Sequence, residues 1–296
     1  MIETWQQPLP HGITLSCRAA GERGRPVLLF LHGFPEAAFV WDDLLLHFAR
    51  PEHGGYRCVA PNLRGFEASS QPADVAAYRA KHLVQDIAAL ITIEGGPLAC
   101  LVAHDWGGAV AWSLANQRPE LARKLAIVNS PHPATFLREL TTNARQQEAS
   151  AYMNFLIRPD AEVLLREDGY RRLFAFFTDW GGAPWLTEAL KDRYRAVWDA
   201  SLTGGLNYYR ASPLRPPRPE DPGAAGVTLP REMVTIAIPT FVLWAMEDVA
   251  LPPELVDGLE DYVPDLRLEK VPGATHWIVH ERPAFVAERL GAFLAQ

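Results

Sequence analysis

Cysteine is scarce. Cys17, Cys58 and Cys100 are the only three in 296 residues, an odd number that rules out a full disulfide framework. Each lies in or beside a short apolar run and none stands at a metal-ligand spacing, so they read as small buried thiols and no metal site is expected. Positive charge is short as well: 28 Lys and Arg against 35 Asp and Glu leave a formal net charge of −7. Without an extended basic surface, nucleic acid is excluded as a partner. No apolar run approaches the roughly 20 residues of a bilayer span, so no membrane partner is expected. Met1 to Gly12 carries Glu3 and lacks a basic-then-apolar pattern, which sets a cytoplasmic expectation. There is no internal repeat. What is present, 48% hydrophobic residues in a chain of this length, suffices for a substantial core. A small-molecule partner remains.

Val27 to Leu31 is a continuous apolar run, and similar runs recur at Cys58 to Ala60, Leu98 to Ala103, Leu125 to Val128 and Phe241 to Trp244. Such runs read as strands buried on both faces. Helix-like stretches, Leu83 to Ile93 and Ala109 to Gln117 among them, alternate with the strands and predict an α/β fold with a mostly parallel central sheet flanked by helices. From Phe136 to Pro230 the rhythm breaks into aromatic- and Arg-rich helical sequence. This predicts a helical cap over 136–230 inserted into a core of 1–135 and 231–296. Pro213, Pro216, Pro217, Pro219 and Pro222 predict an extended return loop, the alternative being a proline-rich ligand for another domain.

The run Leu101-Val102-Ala103-His104-Asp105-Trp106-Gly107-Gly108 is a strand that ends in a polar pair, meets two glycines and enters a helix. In the G-x-S-x-G form of this elbow a serine stands at the tip of a strained turn. Here Ala103, Asp105 and Gly107 hold the three places, so the nucleophile position carries a carboxylate. Helix capping by Asp105 is the competing reading. The loop His32-Gly33-Phe34-Pro35-Glu36 follows the first buried strand, where one backbone N–H of an oxyanion hole is supplied; the residue after the nucleophile supplies the other. Phe34 and Trp106 are the donors by position. A base for the step that frees product fits His276, in Gly273-Ala274-Thr275-His276-Trp277, with His280 read as surface or outlying support. The acid that orients it fits Asp248, after Phe241 to Met246, with Glu247 excluded as its neighbour. The other place for that acid holds Asn129, which offers no charge. His132, between Pro131 and Pro133, has no partner spacing and reads as part of a rigid turn.

Over nearly its whole length the chain resembles an epoxide hydrolase of the α/β-hydrolase fold. His32 to Glu36 is similar to the family's H-G-F-P-E, and His104 to Gly108 to its H-D-W-G-G. The resemblance implies two cap tyrosines that hold and protonate the epoxide oxygen: Tyr209, chosen over Tyr208 because Arg210 follows it, and Tyr152, seven residues before Pro159. It also implies substrate contacts from Trp106, Phe34 and His104, no cofactor, and an epoxide and water as partners of a monomer or homodimer. The stretch Leu63 to Ser70 departs from the family's G-Y-G-E-S-S by placing Glu67 where glycine is usual, which points to an altered loop near the entrance. The cap aromatics Phe174, Phe176, Phe177, Trp180 and Trp185 suggest an apolar pocket.

The implied activity is hydrolysis of an epoxide to a vicinal diol through an ester on Asp105. A haloalkane dehalogenase would use the same nucleophile and base, but usually carries Asn or Glu where Phe34 stands. A fluoroacetate-type dehalogenase would place arginines where Trp106 to Gly108 stand, and an esterase would need serine at 105. A non-catalytic binding protein of this fold would lack one of the reacting groups.

Overall fold

The computed structural model describes residues 1–180 and 182–296. The chain opens with β1 (Glu3–Pro8) and β2 (Thr14–Ala20), then runs through β3 (Val27–Leu31), β4 (Arg57–Pro61), β5 (Cys100–His104), β6 (Leu125–Val128), β7 (Thr240–Ala245) and β8 (Leu266–Val271). These form one eight-stranded sheet in the order β1-β2-β4-β3-β5-β6-β7-β8. From β4 to β8 every pairing is parallel, whereas β2 pairs antiparallel with both β1 and β4. Every residue of β3 to β7 is buried, as expected for strands covered on both faces. The edge strands differ. β1 is largely exposed, and β8 (Leu-Arg-Leu-Glu-Lys-Val) buries fully only its last residue, so neither presents the apolar run from which β3 to β7 were read.

Around the sheet lie α1 (Asp42–Phe48), α2 (Ala80–Ile93) and α3 (Asp105–Gln117). α2 buries Leu83, Val84, Ile87, Leu90 and Ile91, a stripe at helical spacing, and packs on α3. Between β6 and β7 come α4 (Pro133–Thr142), α5 (Ala144–Ala149), α6 (Ala151–Leu156), α7 (Ala161–Asp179) and α8 (Glu188–Ala211), with no strand among the described residues of that stretch. Glu167 to Tyr170 interrupt α7, and Ser201 kinks α8. From Ser212 to Pro239 the chain returns without α-helix or strand. Asp221 pins this proline-rich segment by accepting from Arg215 and Arg218 and from the Gly223 amide. The chain ends in α9 (Ile278–Glu281) and α10 (Pro283–Leu294), which meets α1.

One arrangement decides where chemistry can occur. Phe34, Asp105, Asn129, Asp248 and His276 follow β3, β5, β6, β7 and β8 respectively, so all five stand at the carboxyl ends of neighbouring parallel strands.

Candidate active site

At the β5–α3 turn Asp105 has φ +49°, a left-handed conformation unusual for a side-chain-bearing residue and costly unless the surroundings enforce it. They do. Ser130 Oγ donates to the Asp105 carbonyl at 2.7 Å, and the Phe34 amide donates to Asp105 Oδ1 at 2.7 Å. Gly33 permits that approach, since a Cβ there would collide with the Asp105 carboxylate. His32 shapes the loop: its Nδ1 donates to the Gly33 carbonyl at 2.9 Å and its Nε2 accepts the Leu63 amide at 3.1 Å. Burial pushes this imidazole down to about 4, so it stays neutral. Trp106, next in the helix, has no carbonyl one turn back inside α3 to which its amide could donate.

His276 faces Asp105 with Nε2 at 3.8 Å from Oδ2, while its Nδ1 donates to Asp248 Oδ2 at 2.7 Å. Asp248 is fully enclosed and accepts three more hydrogen bonds: from the amides of Ala250 and Leu251 at 2.9 Å, and from Asn129 Nδ2 at 2.8 Å. Burial alone would lower the His276 pKa. The charge and hydrogen bond of Asp248, then the charges of Asp105 and Glu36, outweigh it and push the imidazole up to about 9.

Across the cavity from Asp105 stand Tyr152 of α6 and Tyr209 of α8, whose ring centroids lie 6.1 Å apart. Tyr209 sits edge-on between Phe34 (5.3 Å) and Trp106 (5.0 Å). Burial first, then neighbouring negative charge including that of Asp105, raises both phenols well above the usual tyrosine range, so both keep their protons. The neighbouring Tyr208 spends its hydroxyl on the Arg64 carbonyl at 2.8 Å. The cavity, of about 680 Å³, is lined by Asp105, Trp106, Tyr152, Tyr208 and Tyr209 together with Leu83, Val110, Phe136, Met153, Leu214 and Leu251; Phe34, expected to touch substrate, is not among its lining residues and packs against Tyr209 instead.

Some sequence expectations land elsewhere. His104 does not line the cavity: it is buried, with Nε2 donating to the His276 carbonyl at 3.0 Å and Nδ1 at 3.4 Å from Glu36 Oε2. Phe174, Phe176, Phe177, Trp180 and Trp185 do not line it either. They form an aromatic layer behind it, Phe177 and Trp180 against Trp277 and Trp180 at 5.0 Å from Tyr152. Glu67 turns away from the entrance and accepts from Ser16 Oγ at 2.6 Å. His132 uses both ring nitrogens, one donating to the Val234 carbonyl and one accepting the Ala134 amide, and burial pushes it down to about 4. Among the described residues no cluster of His, Cys, Asp and Glu is arranged to hold a metal, and no helix is long and apolar enough to cross a membrane.

Two contributors escaped the sequence. Asn129 was passed over for lacking charge, yet its amide donates to Asp248 while its oxygen accepts the Ala245 amide at 2.9 Å. Glu36 was read only as part of a motif. It is a buried hub contacting His280 Nε2 at 2.6 Å and the Tyr194 hydroxyl at 2.9 Å as well as His104, and against the cost of burial the two histidines hold its carboxyl far below the ordinary range. An acid in a short buried loop whose only other polar residue is His32 was the available signal.

This sheet, with a strand-turn-helix elbow bearing Asp105, an acid and a histidine at the carboxyl ends of β5, β7 and β8, defines an α/β hydrolase fold, and residues 26–283 match the family model described as alpha/beta hydrolase fold. The chain is 34% identical to the AB hydrolase superfamily protein YfhM of Bacillus subtilis, over 96% of this chain and 95% of that one. It is 32% identical to epoxide hydrolase 4 of Mus musculus, over 96% of this chain and 77% of that protein. Among solved structures, the Bacillus megaterium epoxide hydrolase in complex with an inhibitor superimposes with a TM-score of 0.89 at 31% identity, covering 99% of this chain and 100% of that one. The chain belongs to the epoxide hydrolase family of this fold.

Proposed function

We propose that the protein hydrolyses an epoxide to a vicinal diol through a covalent ester on Asp105. The observation that carries this reading is a carboxylate at the elbow tip facing two buried, protonated phenols across a largely apolar cavity. Ring opening forms a bond between a carboxylate oxygen and the epoxide carbon and breaks the carbon–oxygen bond opposite. A carboxylate can make that attack without first surrendering a proton to a base. Oδ1 is held by the Phe34 amide, which leaves Oδ2 as the attacking atom. Negative charge grows on the departing oxygen, where Tyr152 and Tyr209 donate hydrogen bonds and one transfers its proton.

Esterification removes the Asp105 charge. With it goes part of what keeps the proton on His276, so the imidazole yields that proton, the phenol is restored through the cavity, and Nε2 becomes free to accept from water. Hydroxide then attacks the ester carbonyl carbon. The carbonyl oxygen is the former Oδ1, already at the Phe34 amide, with Trp106 N–H as the second donor as charge develops. The diol leaves and Asp105 is regenerated. Asp248, fixed by its four donors, holds the imidazole with Nε2 toward the ester throughout. In this reading residues 136–230 act as the cap that supplies the two phenols.

The test is a single turnover in heavy-oxygen water with enzyme in excess. The first diol should carry no solvent oxygen and the label should be found on Asp105. Solvent label in the first diol would eliminate the ester. A dehalogenase reading needs no proton donor for its halide and leaves both phenols without a task; halide release from chloroalkanes and bromoalkanes measures it directly.

A further inference from the structure

The aromatic layer behind the cavity leans on a tryptophan that reaches the catalytic loop. Trp198 of α8 is buried, lies outside the cavity wall, and donates its indole Nε1–H to the Pro35 carbonyl at 2.7 Å. Tyr170, Phe174, Phe177 and Tyr194 surround it, with ring centroids 4.8 to 6.3 Å away. An indole N–H is a donor only, and packing on this scale leaves the ring few other orientations, so the bond is set before any substrate arrives.

The peptide unit that Trp198 grips has a second anchor. Its other end, the Glu36 amide, closes a turn by donating to the Gly33 carbonyl at 3.2 Å, and that carbonyl also accepts from His32 Nδ1 at 2.9 Å. Inside this turn lies Phe34, whose amide donates to Asp105 Oδ1 at 2.7 Å. Trp198 therefore holds, from the cap side, the turn that aims the Phe34 amide. α8 comes close to the same turn further along, where a Cβ on Gly205 would stand 2.9 Å from the Phe34 ring.

We propose that Trp198 is a positioning residue for the oxyanion donor: by fixing the turn Gly33 to Glu36 it keeps the Phe34 N–H on the oxygen of Asp105 where charge develops. This rests on the epoxide-hydrolase reading and adds to it a residue outside the cavity that governs the second step. The two steps depend on the donor differently. Ring opening drains charge from the Asp105 carboxylate, so a donor to Oδ1 favours the starting state at least as much as the transition state. Ester hydrolysis builds charge on that oxygen, so the same donor favours the transition state. A loosened turn should slow ester hydrolysis about tenfold and leave ring opening within about twofold of wild type.

The experiment is a rapid-quench single turnover on wild type and Trp198→Phe, which keeps an aromatic ring and deletes the N–H; ester formation and ester decay are timed separately. The inference expects decay about tenfold slower with formation nearly unchanged, and in steady state a kcat and a KM that fall together. Hydrogen exchange at the Phe34 amide is a second readout that needs no turnover, and it should be roughly tenfold faster in Trp198→Phe. Equal slowing of both steps, as a general loss of packing would give, or no slowing of decay, would overturn the inference, as would unchanged exchange. Failure of wild type to form an ester from any epoxide would count against the catalytic reading, and the exchange rate alone would then decide the positioning role. Should Trp198→Phe not fold, Trp198→Met, a flexible side chain that fills irregular space without an N–H, is measured by the same criteria.

Discussion

Replacing Asp105 with Asn keeps the side-chain shape and the oxygen that accepts the Phe34 amide, but deletes one charge 3.8 Å from His276 Nε2. With an effective dielectric of about 20, two unit charges at that separation attract by roughly 4 kcal/mol, equivalent to about 3 pKa units as a ceiling. Asp105 keeps 15% side-chain exposure, so solvent screens part of this and a fall of about 2 units is expected. The His276 imidazole, near 9 in the wild type, should therefore titrate near 7 in Asp105→Asn. Imidazole NMR resonances followed from pH 5 to 10 read this directly, with His276→Gln assigning the signal among the nine histidines. The sign for stability follows. A folded-state pKa above the unfolded value of 6.5 contributes stability that is complete below 6.5 and disappears as pH rises through about 9. Wild type should lose about 3 kcal/mol across that window and Asp105→Asn markedly less. A His276 shift under half a unit on substitution would refute the claim that the nucleophile's own charge keeps the base protonated until the ester forms.

Tyr152→Phe and Tyr209→Phe should each slow ester formation about 10- to 100-fold, and the double variant more than about 1000-fold, while hydrolysis of a preformed ester stays near wild type; rapid-quench single turnovers separate the steps. Asn129→Ala should destabilise the fold by about 2–4 kcal/mol in chemical denaturation, because Asn129 has φ +40° and the buried Ala245 amide loses its acceptor; a loss under about 1 kcal/mol would contradict the assignment. Gly204→Ala should cost about 1–3 kcal/mol and lower kcat more than it raises KM, because its Cβ would strike the Gly65 carbonyl and push α8, with Tyr209, off its seat.

The interior of the sheet was legible because strands buried on both faces leave unbroken apolar runs, and β3 to β7 all did so. β1 and β8 stayed hidden because edge strands obey no such rule. The loops after the buried strands were equally readable, since an elbow needs small residues at fixed offsets whatever lies around it. The cavity wall was not. Trp180 and Phe177 are as apolar as Phe136 and Met153, yet only the latter pair line the cavity; which face of a cap helix meets substrate is set by packing against Trp277 and α8, at long range in sequence. His104 misled for a related reason. Adjacency to the nucleophile in the chain puts it on the opposite side of a strand end, where it reaches the His276 carbonyl instead of the cavity.

The two halves of the site are fixed by different physics. On the core side Asp105, Asp248 and His276 are located by strand ends and amide donors, so their geometry follows from the sheet itself. On the cap side the phenol of Tyr209 depends on how closely α8 can approach the core. That approach is set where Gly204 meets Gly65, where Ser201 Oγ accepts the Glu67 amide at 2.8 Å, and where Tyr208 reaches the Arg64 carbonyl. Glu67, the departure from the family pattern, thus sits in the loop that seats the cap helix, with its carboxylate turned back toward Ser16 of β2. Under the proposed mechanism, changes in this loop should therefore alter ring opening, the step assigned to the phenol, before they alter ester hydrolysis, the step assigned to the core.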